Sequence, residues 1–186
     1  MNITDDEQLA SSIEGTVHVL LETECGDIVL AIDIAHAPIT AANFLKYVDG
    51  GFYNGGRFHR TVKPDNQPNN DVRIEVIQAS INPERIGAAF PPIPLERTTV
   101  TGLMHTDGTV SMARFAVDSA NYDFFLCIGD QPELNFGGKR YTDGQGFAAF
   151  GHVVRGHDIV RTIQQSPVQA QKLTPPILII RASRLN

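Results

Sequence analysis

From Thr16 onward the chain alternates apolar and polar residues with a period of two, and that period dictates strands. Val17, Val19 and Leu21 fall on one side of an extended backbone, with His18, Leu20 and Glu22 on the other. After Cys25-Gly26-Asp27, Ile28, Leu30 and Ile32 repeat the pattern. Successive strand residues point to opposite faces, so the two runs read as an antiparallel hairpin about a Gly-Asp turn. Further strand candidates are Arg73–Ile81, Thr109–Ala113, Tyr122–Ile128, Phe147–Val154 and Ile177–Leu185, separated by turn-rich stretches at Lys63–Asp71, Asn82–Pro94 and Glu133–Gly146. Only two segments carry the helical period. One runs from Ala41 to Val48, with Thr40 as its expected cap and Ala41, Phe44, Leu45 and Val48 on one face. The other is His157–Gln165, with Ile159, Val160 and Ile163 together. Many strands without strand–helix alternation imply a mainly β, closed or nearly closed antiparallel barrel.

At 186 residues the chain can bury one sizeable core. Residues 1–14 are polar and are expected to form a loose arm; residues 15–186 read as one domain. A net charge of -6 makes nucleic acid and anionic membrane surfaces poor partners. No apolar run approaches the roughly 20 residues of a membrane span. The acidic start, Met1 to Glu7, lacks the basic and apolar regions of a signal peptide. The expected compartment is the cytoplasm if the chain is complete, and the periplasm if a signal has been removed. Cys25 and Cys127 have neither disulfide-framework nor metal-ligand spacing and are expected to be buried free thiols.

Common catalytic signatures are missing: no phosphate-binding glycine loop, no dinucleotide fingerprint and no nucleophile elbow. The histidines are scattered, and the nearest pair, His152 and His157, lacks convergent carboxylates or thiolates, so no metal is expected. Two features stand out. In Phe58-His59-Arg60 a guanidinium sits among apolar neighbours, and on a regular strand Phe58, Arg60 and Val62 share a face. In Phe124-Phe125 adjacent rings must face opposite sides: one fills the core, and the other lies outside as the floor of an apolar groove or beneath a covering loop.

The order of these blocks resembles the cyclophilins, in a bacterial branch. Phe58-His59-Arg60, Val76-Ile77-Gln78, Gly108-Thr109-Val110-Ser111-Met112-Ala113 and Asp123-Phe124-Phe125-Leu126 match the family's signature segments. Ala37–Phe44 and Phe150–Val160 match its helix regions, so that the likeness spans about Thr16 to Leu185. It implies an eight-stranded barrel with two short capping helices, and a cofactor-independent peptidyl-prolyl cis-trans isomerase acting as a monomer on proline-containing peptides and unfolded chains. By matched position Arg60 would be the catalytic arginine, and Gln78 would help hold the substrate carbonyl. Phe125, Val76 and Leu134 would line the proline pocket, while Ala113 and the backbone of Arg114 would bind the peptide chain. Asp123 replaces a family glutamine.

Several positions depart from the pattern. Glu75 stands in the place of a pocket phenylalanine, Glu133 where many members carry an aromatic residue, and Phe147 where a pocket histidine is usual. Pro64–Asp71 is an insertion, and Ala79-Ser80 replaces a Gly-Gly pair before a shortened glycine-rich loop. These changes motivate a second reading, a proline-segment binding module with little turnover. A third, a barrel binding a small molecule in its interior, would need a hollow apolar lumen.

Overall fold

The computed structural model describes residues 14–186; the polar arm expected at residues 1–14 lies almost entirely outside them. Among the described residues, strands β1 (Thr16–Thr23), β2 (Gly26–Asp33), β3 (Arg57–Val62), β4 (Val76–Ser80), β5 (Thr109–Met112), β6 (Phe124–Cys127), β7 (Ala149–Arg155) and β9 (Lys172–Arg184) form an antiparallel sheet. Its order is β1-β2-β7-β5-β6-β4-β3-β9, and β9 pairs back onto β1, closing an eight-stranded barrel. Closure leaves no long unpaired edge. The two-residue β8 (Val168–Gln169) hangs on the start of β9.

The hairpin is present, with its turn one step earlier than expected: Thr23 pairs with Gly26, leaving Glu24 and Cys25 in the loop and Gly26-Asp27 opening β2. Gly26 has φ 131°, and a Cβ there would meet Ile159 Cδ1 at 2.6 Å, so glycine answers both backbone and packing at this point. Strand β4 is shorter than the expected Arg73–Ile81, because Ile74 spends its backbone groups on Gln67 rather than on a neighbouring strand. Strand β9 begins five residues earlier than expected; Pro175 and Pro176 fall inside the register jump between Lys172 and Ile177, where the ladder asks for no donor.

Helix α1 (Pro38–Asp49) starts before the expected Ala41, and Thr40 is not its cap. Pro38 opens the helix, where its missing N–H costs nothing. The free amides are met from across the chain: Glu96 accepts from Ile39 N at 3.2 Å and from Thr40 N and Oγ1 at 2.7 and 2.6 Å. A carboxylate at a helix start is also favoured by the helix dipole. Helix α2 (Thr98–Thr101) is a single turn, and α3 (His157–Gln164) closes the other end much as expected.

The lumen is filled. Phe44 of α1 packs on Phe124 at 5.3 Å and Phe150 at 5.2 Å between ring centroids, and Phe58 reaches Phe124 at 6.0 Å. All four rings are fully buried. A ligand-holding interior is therefore excluded. Cys127 is buried, but Cys25 is only half-buried; both are free thiols.

Candidate active site

The site lies on the outer face of β3, β4 and β6. Within β4 and β6, Ile77, Ala79, Phe124 and Leu126 turn inward, while Val76 and Phe125 belong to a separate outer apolar cluster with Val62, Ile74, Cys127, Leu134 and Phe147. Phe125 is thus outside the barrel, as expected of one of the two adjacent rings, and it is covered rather than bare, at 5% exposure. Phe147 meets it edge-on at 5.6 Å, and Tyr141 meets Phe147 the same way at 6.1 Å.

Arg60 reaches this face through an irregularity that the period-two reading missed. Phe58 opposes Ala79 and Arg60 opposes Gln78, so two residues of β3 span one step of β4. The bulge sends Phe58 into the core and turns Arg60 and Val62 outward; Phe58 does not share their face. Bulges of this kind re-aim a side chain at the cost of one unpaired residue, here His59.

The guanidinium is held on two sides. Its Nε and Nη2 donate to Gln171 Oε1 at 2.9 and 2.7 Å, and its Nη1 donates to Gln78 Oε1 at 3.0 Å. Gln78 Nε2 donates in turn to Asp123 Oδ2 at 2.9 Å, which His59 Nε2 also approaches at 3.2 Å. Burial alone would raise the Asp123 pKa; hydrogen bonds from His59, Ser80 and Gln78 reverse this and hold it below the usual carboxylate range. Burial also lowers the Arg60 pKa, without endangering the charge of so basic a group.

Three of the departures from the family pattern find a physical place. Glu75 points away from the outer cluster and accepts from Gln164 Nε2 at 2.9 Å; Ile74, one residue earlier, supplies the apolar side chain instead. Glu133 accepts from Lys139 N at 2.7 Å and stays out of the cavity wall. The Pro64–Asp71 insertion is folded against the site. Buried Gln67 bonds Lys63 O and both backbone groups of Ile74, and Gln171 Nε2 donates to Asn66 O at 3.0 Å.

Of the expected residues, Arg60, Val76, Gln78, Ala113, Arg114, Asp123, Phe125, Leu134 and Phe147 all line one outer cavity of about 740 Å³. Ala113 N is already committed to Asp123 O at 2.9 Å. The Arg114 side chain is buried and braces the loop above, donating to Gly146 O and, through both Nη atoms, to Asp143 at 2.9 Å. Sequence reasoning missed Gln171, His59, Ile74, Arg140, Tyr141 and His105. The last stacks on Phe125 at 6.0 Å and bonds Ser111 Oγ at 2.9 Å. No group of three or more metal-binding side chains occurs among the described residues.

Residues 18–184 match the family model described as cyclophilin type peptidyl-prolyl cis-trans isomerase/CLD. Peptidyl-prolyl cis-trans isomerase A of Dickeya dadantii is 35% identical over 161 residues, 86% of this chain and 76% of that protein. Peptidyl-prolyl cis-trans isomerase B of Escherichia coli is 34% identical over 155 residues, 78% of this chain and 83% of its own. A cyclophilin-type isomerase crystal structure from Cryptosporidium parvum superposes with a TM-score of 0.73 at 20% identity, covering 92% of this chain and 98% of that one. The chain belongs to the cyclophilin-type peptidyl-prolyl cis-trans isomerase family.

Proposed function

We propose that this protein accelerates rotation about X–Pro bonds in peptides and unfolded chains, with the proline ring on the Phe125 floor and Arg60 as its catalytic residue. Residues 15–186 form the working unit, acting as a monomer and without a cofactor. The problem it addresses is kinetic. Amide resonance raises a barrier of roughly 20 kcal/mol, while cis and trans X–Pro differ by only about 0.5–1 kcal/mol. As the bond twists, the imide nitrogen loses resonance and gains a localised lone pair. A fixed donor aimed at that lone pair stabilises the twisted state more than either planar one, which is what lowers a barrier.

The observation carrying this reading is the clamped guanidinium of Arg60 beside an apolar floor. Three of its five N–H groups are used by Gln171 and Gln78, leaving two for a ligand. Gln78 spends one amide hydrogen on Asp123 and keeps another for a substrate carbonyl. Val76, Leu134, Phe147 and Ile74 complete the floor, and Ala113 with the Arg114 backbone borders the groove along which the peptide would run. The experiment is a protease-coupled rate assay on an X–Pro peptide, with Arg60→Ala alongside. Acceleration by the wild type alone is expected. A wild type that binds the peptide without speeding isomerisation would instead favour a binding module.

A further inference from the structure

The charge on the cavity wall is opposite to that of the molecule. The chain has 15 Lys and Arg against 21 Asp and Glu. Yet the wall carries Arg57, Arg60, Arg114 and Arg140, with Asp123 as its single carboxylate. Of the four, only Arg114 has a carboxylate partner among the described residues, Asp143, at 2.9 Å. Arg60 is held by the neutral amides of Gln171 and Gln78. Arg140 Nη1 donates to Gln67 Oε1 at 2.8 Å and Val72 O at 2.6 Å, again neutral acceptors, while its Nε and Nη2 bond no other described residue. Arg57 is exposed and forms no ion pair with the described residues.

The two partly buried cations stand at different parts of the apolar floor. Arg60 is beside Gln78, and Arg140 is tied to the Val72–Ile74 backbone through Gln67. They are close enough that Arg60 adds to the desolvation lowering the Arg140 pKa. Like charges around one apolar pocket repel unless an anion joins them. Among the described residues no carboxylate pairs with Arg60 or Arg140, although the rigid fork of an arginine suits a carboxylate better than any other common peptide group.

We propose that the isomerase selects proline segments carrying a carboxylate next to the proline, and that Arg140 reads it. The inference rests on proline occupying the Phe125 floor. A ring seated there with its imide nitrogen at Arg60 leaves one neighbouring residue towards Arg140. Ile86, Phe115 and Ser119 also line the cavity, which leaves wall for the other neighbour. Arg140 comes from the Glu133–Gly146 stretch and is fixed by Gln67 of the Pro64–Asp71 insertion, so that departure from the family pattern helps place a cation at the pocket.

The test compares kcat/KM for acetylated, amidated peptides that differ at one position, Glu, Gln or Lys. One series varies the residue before proline, another the residue after it, and a third, compared with its own amide, ends in a free carboxylate directly after proline instead. In at least one series the carboxylate should be preferred over its neutral or cationic counterpart by about fivefold, the scale of a partly exposed ion pair. The preference should shrink in 0.5 M salt, fall within twofold in Arg140→Gln, and persist in Arg140→Lys, with thermal melts confirming folding. If only the third series responds, the carboxylate read is the chain terminus; if the first or second does, it is an acidic side chain. Equal rates across every series, or a preference that survives Arg140→Gln, would overturn the proposal. Failure of the isomerase reading looks different: no acceleration of the Gln peptides either.

Discussion

Strands β3, β4 and β6 build two surfaces from one backbone, and the surfaces are held together by different physics. The inner one, Thr61, Ile77, Ala79, Phe124 and Leu126, is fully buried and packs mainly by shape and apolar contact. The outer one, Arg60, Gln78, Asp123 and Phe125, is a hydrogen-bonded chain from Gln171 to His59 laid beside a small apolar floor. Interior packing is local and tolerant of volume-conserving change. A polar network works only when each member has its partner. Hence the inner face should answer substitution in stability, and the outer face in rate.

The sharpest contrast is between adjacent rings. Phe124→Ala removes a core ring in contact with Phe44, Tyr53 and Phe58 and should cost about 3–5 kcal/mol in denaturant melts. Phe125→Ala should raise KM and lower turnover at a smaller stability cost. If the effects came out reversed, the division between the faces would be wrong.

His105 is the point where the comparison can be pushed with pH. Its backbone N donates to Asn135 Oδ1 at 2.9 Å, so that atom is the amide oxygen, and the ring's Nδ1, 2.8 Å from it, must carry the proton. Nε2 then accepts from Ser111 Oγ, a neutral tautomer stacked beneath Phe125. Burial pushes this histidine down to about 4 from an ordinary 6.5. Between those values the unfolded chain binds the proton and the folded one resists it. The contribution is therefore complete above about pH 6.5 and lost as pH falls towards 4, on the order of 3 kcal/mol. His105→Gln should flatten the stability curve across that window. An unchanged curve would mean that the ring titrates freely.

Removing the cation tests the outer face directly. Arg60→Ala should lower kcat/KM at least tenfold, about 1.4 kcal/mol, with the melting temperature held. Near-full activity in the folded variant would remove Arg60 from the mechanism.

How far each surface was legible in the sequence follows from the same division. Period-two alternation shows that Phe124 and Phe125 face opposite sides and that the chain builds a β-barrel; which ring lies outside followed from the resemblance, by matched position. The alternation in Ile74, Val76 and Gln78 also held the clue that Ile74 replaces Glu75 at the pocket. What alternation cannot show is its own interruption: the bulge at His59, which separates Phe58 from Arg60, leaves no trace in residue type. Long-range polar partners are equally silent. Glu96 satisfies a helix start 56 residues away, and Gln171 meets Arg60 across 111 residues.

Gln171 allows the smallest but most discriminating test. Its Oε1 takes two hydrogens from Arg60, and its Nε2 is tied to Asn66 of the insertion. Gln171→Leu keeps the bulk but removes the acceptor, leaving the guanidinium held by Gln78 alone, free to swing from the line of the imide nitrogen. Proline binding depends on the apolar floor and should persist. The loss should therefore fall on kcat with KM nearly unchanged, about threefold to tenfold, since part of the lost hydrogen bond is recovered from water. Asn66→Gly, which frees the loop while keeping the backbone carbonyl, should give a weaker version of the same split. A purely structural role for Gln171 would instead lower the melting temperature and move kcat and KM together. Full kcat in Gln171→Leu would show that Gln78 alone suffices to aim Arg60.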